Sequence, residues 1–282
     1  MKMSKAARRL IWLGLIVFVI IMGYFSFGRG AAQQKNTITV GIMAGSKAEQ
    51  QIWDSVAHTA QQKYGLTVKF QRFTDYSQPN AALSNHSIDV NAFQNYPFLA
   101  LWNQKHHDHI VAVGDTIIEP MRIYSYQSKS VNDLPAGSTV TVPNDANNES
   151  RALFVLQSAG LLKLKPNVKL ADARSIVANP RNIKIKEVDA SQTARSLNDV
   201  GAAVVNGNYA QTASLDPHKA IFTEPFNQNS KQWINFIAAN RDNRNDPRIK
   251  KLVKAYQTKA TAKKIKQVSG INQIPAWNLK LK

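Results

Sequence analysis

Cysteine is absent from this 282-residue chain, which excludes a disulfide scaffold, a thiolate metal site and a cysteine nucleophile. Acidic side chains are scarce: 18 Asp and Glu stand against 36 Lys and Arg, a net charge of +18. That excess fits nucleic acid, an anionic membrane surface or simply an alkaline protein, and only the placement of the charges separates these. Beyond the N-terminus there is no internal repeat or low-complexity tract, so solenoid and collagen-like readings fall away. What is present is a globular composition, 44% hydrophobic and 19% charged, in a chain long enough for one large domain or two modest ones.

Residues 1–35 carry Lys2, Lys5, Arg8, Arg9, Arg29 and Lys35 and no acid. Directly after Arg9, the run Leu10 to Phe27 has no charge and, at helical rise, comes close to the length that crosses a hydrocarbon core. Basic residues ahead of it put the N-terminus in the cytoplasm. Gly30-Ala31-Ala32 offers small residues to a signal peptidase, but the run is longer than a usual signal core, so a retained membrane anchor is expected over 1–35. The rest of the chain is then extracytoplasmic, at the cell membrane, which argues against nucleic acid as a partner. In residues 241–282, twelve Lys and Arg face only Asp242 and Asp246. The spacing of Lys250, Lys251 and Lys254, then Lys259, Lys263, Lys264 and Lys266, fits the solvent faces of amphipathic helices near anionic headgroups.

From Asn36 short β-branched runs alternate with helical ones. Thr37 to Ile42 reads as a strand, Ser46 to Glu49 has capping-box spacing, and Gly65 stops the helix that follows. Leu66 to Phe70, Ile110 to Val113, Thr116 to Ile118, Ile123 to Ser125, Thr139 to Val142, Ile183 to Val188, Ala202 to Val205 and Trp233 to Ala238 read as further strands. Short helices are expected at Asn80 to Leu83 and Phe98 to His107. The alternation predicts an α/β fold of two lobes with a cleft between them. Lobe 1 is expected to hold residues 36–120 and 221–282, and lobe 2 residues 121–220. The two interlobe crossings then fall near Pro120 and between about Asp216 and Phe226.

Catalytic signatures are missing. Met43-Ala44-Gly45-Ser46-Lys47 lacks the spacing of a phosphate loop, no Gly-x-Ser-x-Gly elbow occurs, and the carboxylates form no pair by local spacing. His106-His107-Asp108-His109 is the one metal-like cluster, and consecutive ligands at a helix end read better as a solvated terminus. No cofactor, metal or enzymatic activity is expected. The informative segment is Val142 to Arg151, where a strand ends, an asparagine-rich turn follows and a helix is expected to begin at Asn147 or Asn148. Unpaired backbone N–H groups there, with Asn148 and the Arg151 guanidinium beside them, would suit a small carboxylate. The same residues equally describe an ordinary surface arginine next to a capping asparagine. Tyr76, Phe93 and Asn95 in the first lobe, and Tyr124, Asn206 and Tyr209 in the second, follow predicted strands and could line one pocket of rings and amides. Any one of these aromatics could instead be core.

Five stretches in consistent order resemble the NlpA/MetQ family of methionine-binding proteins of ABC importers. They are Phe73 to Asn80, Ile88 to Gln94, Ile118 to Met121, Val142 to Asp145 and Leu161 to Lys165, and the likeness runs from about Thr39 to Trp277. The resemblance implies a two-lobed periplasmic-binding-protein fold that holds methionine or a related amino acid and delivers it, as a monomer, to a permease driven by a separate ATPase. It also implies that Arg151 binds the carboxylate, that Asn206 and Tyr209 belong to the site, and that Tyr76 and Phe93 wall the side-chain pocket. Two features depart from the family. Its usual histidine after Asn-Ala-Phe-Gln is Asn95, and its lipid-bearing cysteine is missing, with the Leu10 to Phe27 run as the apparent replacement. Competing readings are an enzyme acting on a small amino acid in the same cleft, and a basic surface adhesin.

Overall fold

The computed structural model describes residues 36–281. The membrane helix expected over Leu10 to Phe27 lies outside them. Among the described residues no helix is long and apolar enough to cross a membrane.

Strand β1, Thr37–Met43, is β-branched and buried along most of its length, as a central parallel strand covered on both faces must be. Ser46 then accepts the Glu49 N–H at 3.3 Å and starts helix α1, Lys47–Tyr64, which ends on Gly65 in the left-handed region at φ 60°. The chain continues through β2 (Thr67–Phe73), α2 (Gln78–Ser84), β3 (Val90–Asn95), α3 (Tyr96–His106), β4 (Ile110–Asp115) and the short β5 (Ile117–Ile118). It then enters a second set: β6 (Arg122–Tyr124), β7 (Thr139–Pro143), α4 (Ala146–Ser158), β8 (Lys163–Leu164), β9 (Ile176–Ala178), β10 (Lys184–Val188), β11 (Ala202–Val205), α5 (Gly207–Thr212) and β12 (Phe222–Thr223). Finally β13 (Asn235–Asn240), α6 (Pro247–Tyr256), α7 (Lys259–Ser269) and β14 (Ile274–Pro275) return to the first set.

The first sheet has the order β2-β1-β3-β13-β4 and the second β10-β7-β11-β6-β12. In each, three strands run parallel and the others antiparallel to their neighbours. Because β13 is inserted between β3 and β4, the last third of the chain locks the first lobe together. Helix α1 packs with α6 and α7 on one face of that sheet, over a core that includes Val40, Trp53, Leu252 and Tyr256. The second lobe has its own core of Ile123, Val140, Leu153 and Val204. A third cluster joins the lobes, with Phe73, Leu99 and Phe236 from one and Leu197, Val205 and Tyr209 from the other.

Phe222 and Thr223, just past the expected crossing at 221, pair with β6 in the second sheet. The chain therefore crosses at 119–121 and returns at 224–234. The two crossings are bonded to each other: Glu224 N–H donates to Met121 O at 3.0 Å, and Met121 N–H donates to Glu224 Oε2 at 2.9 Å. The strand expected from Trp233 begins instead at Asn235, since 228–233 forms a 3-10 turn opened by a capping box on Asn227.

Candidate functional site

Arg151 is 5% exposed and borders the cavity between the lobes rather than bulk water. Its Nε donates to Glu224 Oε1 at 2.9 Å and its Nη2 to Glu224 Oε2 at 2.6 Å. Nη2 also donates to the Glu119 carbonyl at 2.8 Å, and the guanidinium lies 4.8 Å from the Trp233 ring centroid. One side chain thus clamps both crossings, through Glu119 on the first and Glu224 on the second. Its Nη1 has no hydrogen-bond partner among the described residues. Glu224 and Trp233 were missed by sequence reasoning, because no local spacing relates them to position 151.

The helix that carries Arg151 starts slightly before the expected Asn147 or Asn148. Helix α4 begins at Ala146, and Asp145 caps it by accepting the Asn148 N–H at 3.0 Å. A carboxylate already occupies the positive end of the helix, so the backbone amides there do not grip an incoming acid group. Burial pushes the Asp145 carboxyl above its usual range, against the lowering effect of its Asn148 hydrogen bonds. Asn148 Nδ2 donates to the same carboxylate at 2.9 Å, and its Oδ1 accepts from Asn206 Nδ2 at 2.9 Å.

Asn206 holds the N-cap position of α5 without capping it. Its Oδ1 is buried with no hydrogen-bond partner among the described residues, as is Nδ2 of Asn208 two residues on. Both residues border the cavity. A buried, unpaired amide atom calls for an explanation, and two of opposite character beside a free guanidinium nitrogen describe a complement to a small zwitterion. Gly207 lets this segment approach the first crossing: a Cβ there would stand 2.8 Å from Glu119 Cβ.

The opposite wall is aromatic. Tyr76 packs against Phe93, tilted, and edge-on against Phe98, at centroid distances of 5.8 and 6.1 Å, and all three border the cavity. The Tyr76 hydroxyl donates across the cleft to Asn208 Oδ1. Asn95 also borders the cavity, with its Oδ1 capping α3. Tyr209 stands behind this wall, 5.0 Å from the Tyr76 ring, and donates to the Thr74 carbonyl at 3.2 Å. Tyr124 does not join the site: at 3% exposure it lies in the apolar cluster between the lobes. Its strand is short, and pairing with Ala203 turns the ring into that cluster.

Behind the cavity Glu119 and Glu49 border a smaller one with Asn208, Asn235 and Gln273. Glu119 Oε1 accepts from Gln273 at 2.7 Å and Gln211 at 3.2 Å, yet burial raises its carboxyl above the usual range. Burial, with the negative charge of Glu119 nearby, pushes Glu49 from 4.5 up to about 8. A carboxyl raised on folding keeps a proton that the unfolded chain has released, so its stabilising contribution is whole below pH 4.5 and is lost as pH rises through about 8. Thermal melting across that window is expected to fall with pH in the native protein and to fall less in Glu49→Gln. Parallel slopes would contradict the shift.

No group of three or more His, Cys, Asp or Glu side chains able to hold a metal occurs among the described residues. In the His106 to His109 segment, His106 stacks on Trp102 at 3.9 Å, and Asp108 accepts from the Trp102 indole at 3.0 Å.

The family model described as NlpA lipoprotein matches residues 38–277. The probable D-methionine-binding lipoprotein MetQ of Vibrio cholerae is 40% identical over 248 residues, covering 87% of this chain and 90% of that protein. The substrate binding protein of a methionine transporter from Streptococcus pneumoniae superposes with a TM-score of 0.82 at 44% identity, over 86% of this chain and 96% of that one. A nutrient binding protein from Burkholderia cenocepacia, solved bound to methionine, gives 0.80 at 41% identity over 85% and 99%.

Proposed function

The chain belongs to the NlpA lipoprotein family, and from that premise we propose that it is an extracytoplasmic substrate-binding protein of an ABC importer, holding methionine or a related amino acid. The observation that supports the reading is the joint presence, around one cavity, of Arg151, of Asn206 and Asn208 with their unpaired Oδ1 and Nδ2, and of an aromatic wall on the other lobe. The arginine serves the ligand carboxylate, Asn206 Oδ1 accepts from its ammonium, and Tyr76, Phe93 and Phe98 enclose its side chain. Groups from both lobes are needed, because a ligand touching one lobe would bind open and closed states alike and would not favour closure. Gly45 marks how closely the lobes meet: a Cβ there would stand 2.5 Å from Thr212 of α5.

In this reading the protein is a monomer that passes its ligand to a permease and that permease's ATPase. The N-terminal run Leu10 to Phe27 tethers it to the membrane in place of an acyl chain, for which the sequence has no cysteine. A tether raises the effective concentration of the encounter with the permease without any new contact. The lobes comprise residues 36–120 with 224–281, and 121–223.

Native mass spectrometry of the protein purified without added ligand, followed by titration with L- and D-methionine, tests the proposal. A retained amino acid, or saturable stoichiometric binding, is the expected result. Ligand at 100 times its dissociation constant adds about 2.7 kcal/mol to the folded state, a clear rise in melting temperature. Turnover of the amino acid, or no binding of any amino acid, would contradict it.

A further inference from the structure

Asn95 ends β3 and is the N-cap of α3, where its Oδ1 accepts the Phe98 N–H at 3.1 Å. A backbone N–H can bond only to an acceptor, so this contact fixes which way the amide is turned: oxygen toward the helix, Nδ2 away from it. Nδ2 has no hydrogen-bond partner among the described residues, while Asn95 is 6% exposed and borders the cavity. The same cavity is bordered by the rings of Phe93 and Phe98, 5.5 Å apart, with Tyr76 next to both. The cavity there has apolar ring walls and a committed donor at Asn95, with the Asn208 and Asn235 amides bordering the same cavity. A ligand that fills it with hydrocarbon excludes water and strands that N–H, at a cost in affinity.

Charge narrows the class. Arg151 is the only basic side chain among the described residues that borders the cavity, and it stands on the other lobe, held by Glu224. A carboxylate in the side-chain pocket would have no cation to balance it, and Glu119 on the same cavity would oppose it. An ammonium would face the Asn95 donor, and the Glu119 carboxylate on the cavity already accepts from Gln273 and Gln211. A neutral acceptor fits.

Resting on the amino-acid-binding reading above, we propose that Asn95 makes this site selective for α-amino acids whose side chain ends in a neutral hydrogen-bond acceptor, a sulfoxide or a carboxamide. A thioether, only a weak acceptor, stands between these and a plain hydrocarbon tail.

Calorimetric titration of the full chain in detergent, stripped of bound ligand, separates the cases with four probes: L-norleucine, L-methionine, L-methionine sulfoxide and L-glutamine. Norleucine matches methionine in length and shape but has no acceptor. The sulfoxide is expected to bind at least tenfold more tightly than norleucine, with methionine between them. Asn95→Asp keeps an acceptor for the Phe98 N–H and so keeps the helix cap, but removes the donor. In that variant the sulfoxide advantage is expected to vanish while melting temperature stays within a few degrees of the parent. Norleucine binding as tightly as the sulfoxide in the parent protein, or an unchanged ratio in Asn95→Asp, would overturn the assignment of Asn95 and leave amino-acid binding standing. Failure of all four probes to bind would instead remove the amino-acid reading and this inference with it.

Discussion

Arg151→Ala is expected to weaken amino-acid binding by about 2–5 kcal/mol, the usual loss when one partner of a buried, hydrogen-bonded charge pair is truncated. The reason lies in the composition of the cavity wall. Arg151 is the only basic side chain on it among the described residues, and two of its three nitrogens are held by Glu224 and the Glu119 carbonyl. Those bonds fix the guanidinium plane before a ligand arrives, so Nη1 meets the carboxylate without reorganisation. Arg151→Lys separates charge from geometry: an ammonium cannot form the fork to Glu224, and binding is expected to be weakened although the charge remains. Calorimetry reads both variants. Unchanged affinity in Arg151→Ala would remove the arginine from the site.

Glu224→Ala is expected to destabilise the fold by about 3–5 kcal/mol, because it leaves the buried Arg151 guanidinium without a counter-charge, facing only the Glu119 carbonyl and the Trp233 ring. The side chains of Arg151 and Glu224 are 6% and 9% exposed, so water does little to replace the lost carboxylate. Glu224 also accepts the Met121 N–H of the first crossing, so the variant loosens the junction between the lobes. Denaturant unfolding measures the effect. A loss below about 1 kcal/mol would class the pair with exposed salt bridges and deny it a role in holding the crossings together.

The elements of the fold were legible wherever a local signal sets them. The β-branched run at Thr37, the capping serine at Ser46 and the stop at Gly65 each act through neighbours in sequence, and their boundaries fall within a residue or two of expectation. Non-local pairing was harder to read. Phe222-Thr223 carries no strand signature of its own and becomes a strand only because β6 offers an edge. At the site, Tyr76, Phe93, Asn95, Asn148, Arg151 and Asn206 come to one cavity from both lobes. Tyr124 is the last residue of β6, and nothing in its neighbours says which face of that strand meets the core. The cap of α4 was misread for a related reason: Asp145 and the asparagines after it are all capping residues, and only the folded backbone selects Asp145. Glu224 and Trp233 lie more than seventy residues from Arg151, and their pairing with it is a property of the crossings.

The most direct measurement is a crystal structure of the protein with its amino acid bound. The account predicts the ligand carboxylate within hydrogen-bonding distance of Arg151 Nη1, its ammonium on Asn206 Oδ1, and its side chain between Tyr76, Phe93 and Phe98. Arg151 and Trp233 also border a second groove, between α4 and the returning crossing, lined by Phe154 and Pro225. A ligand seated there, or one touching a single lobe, would contradict the account.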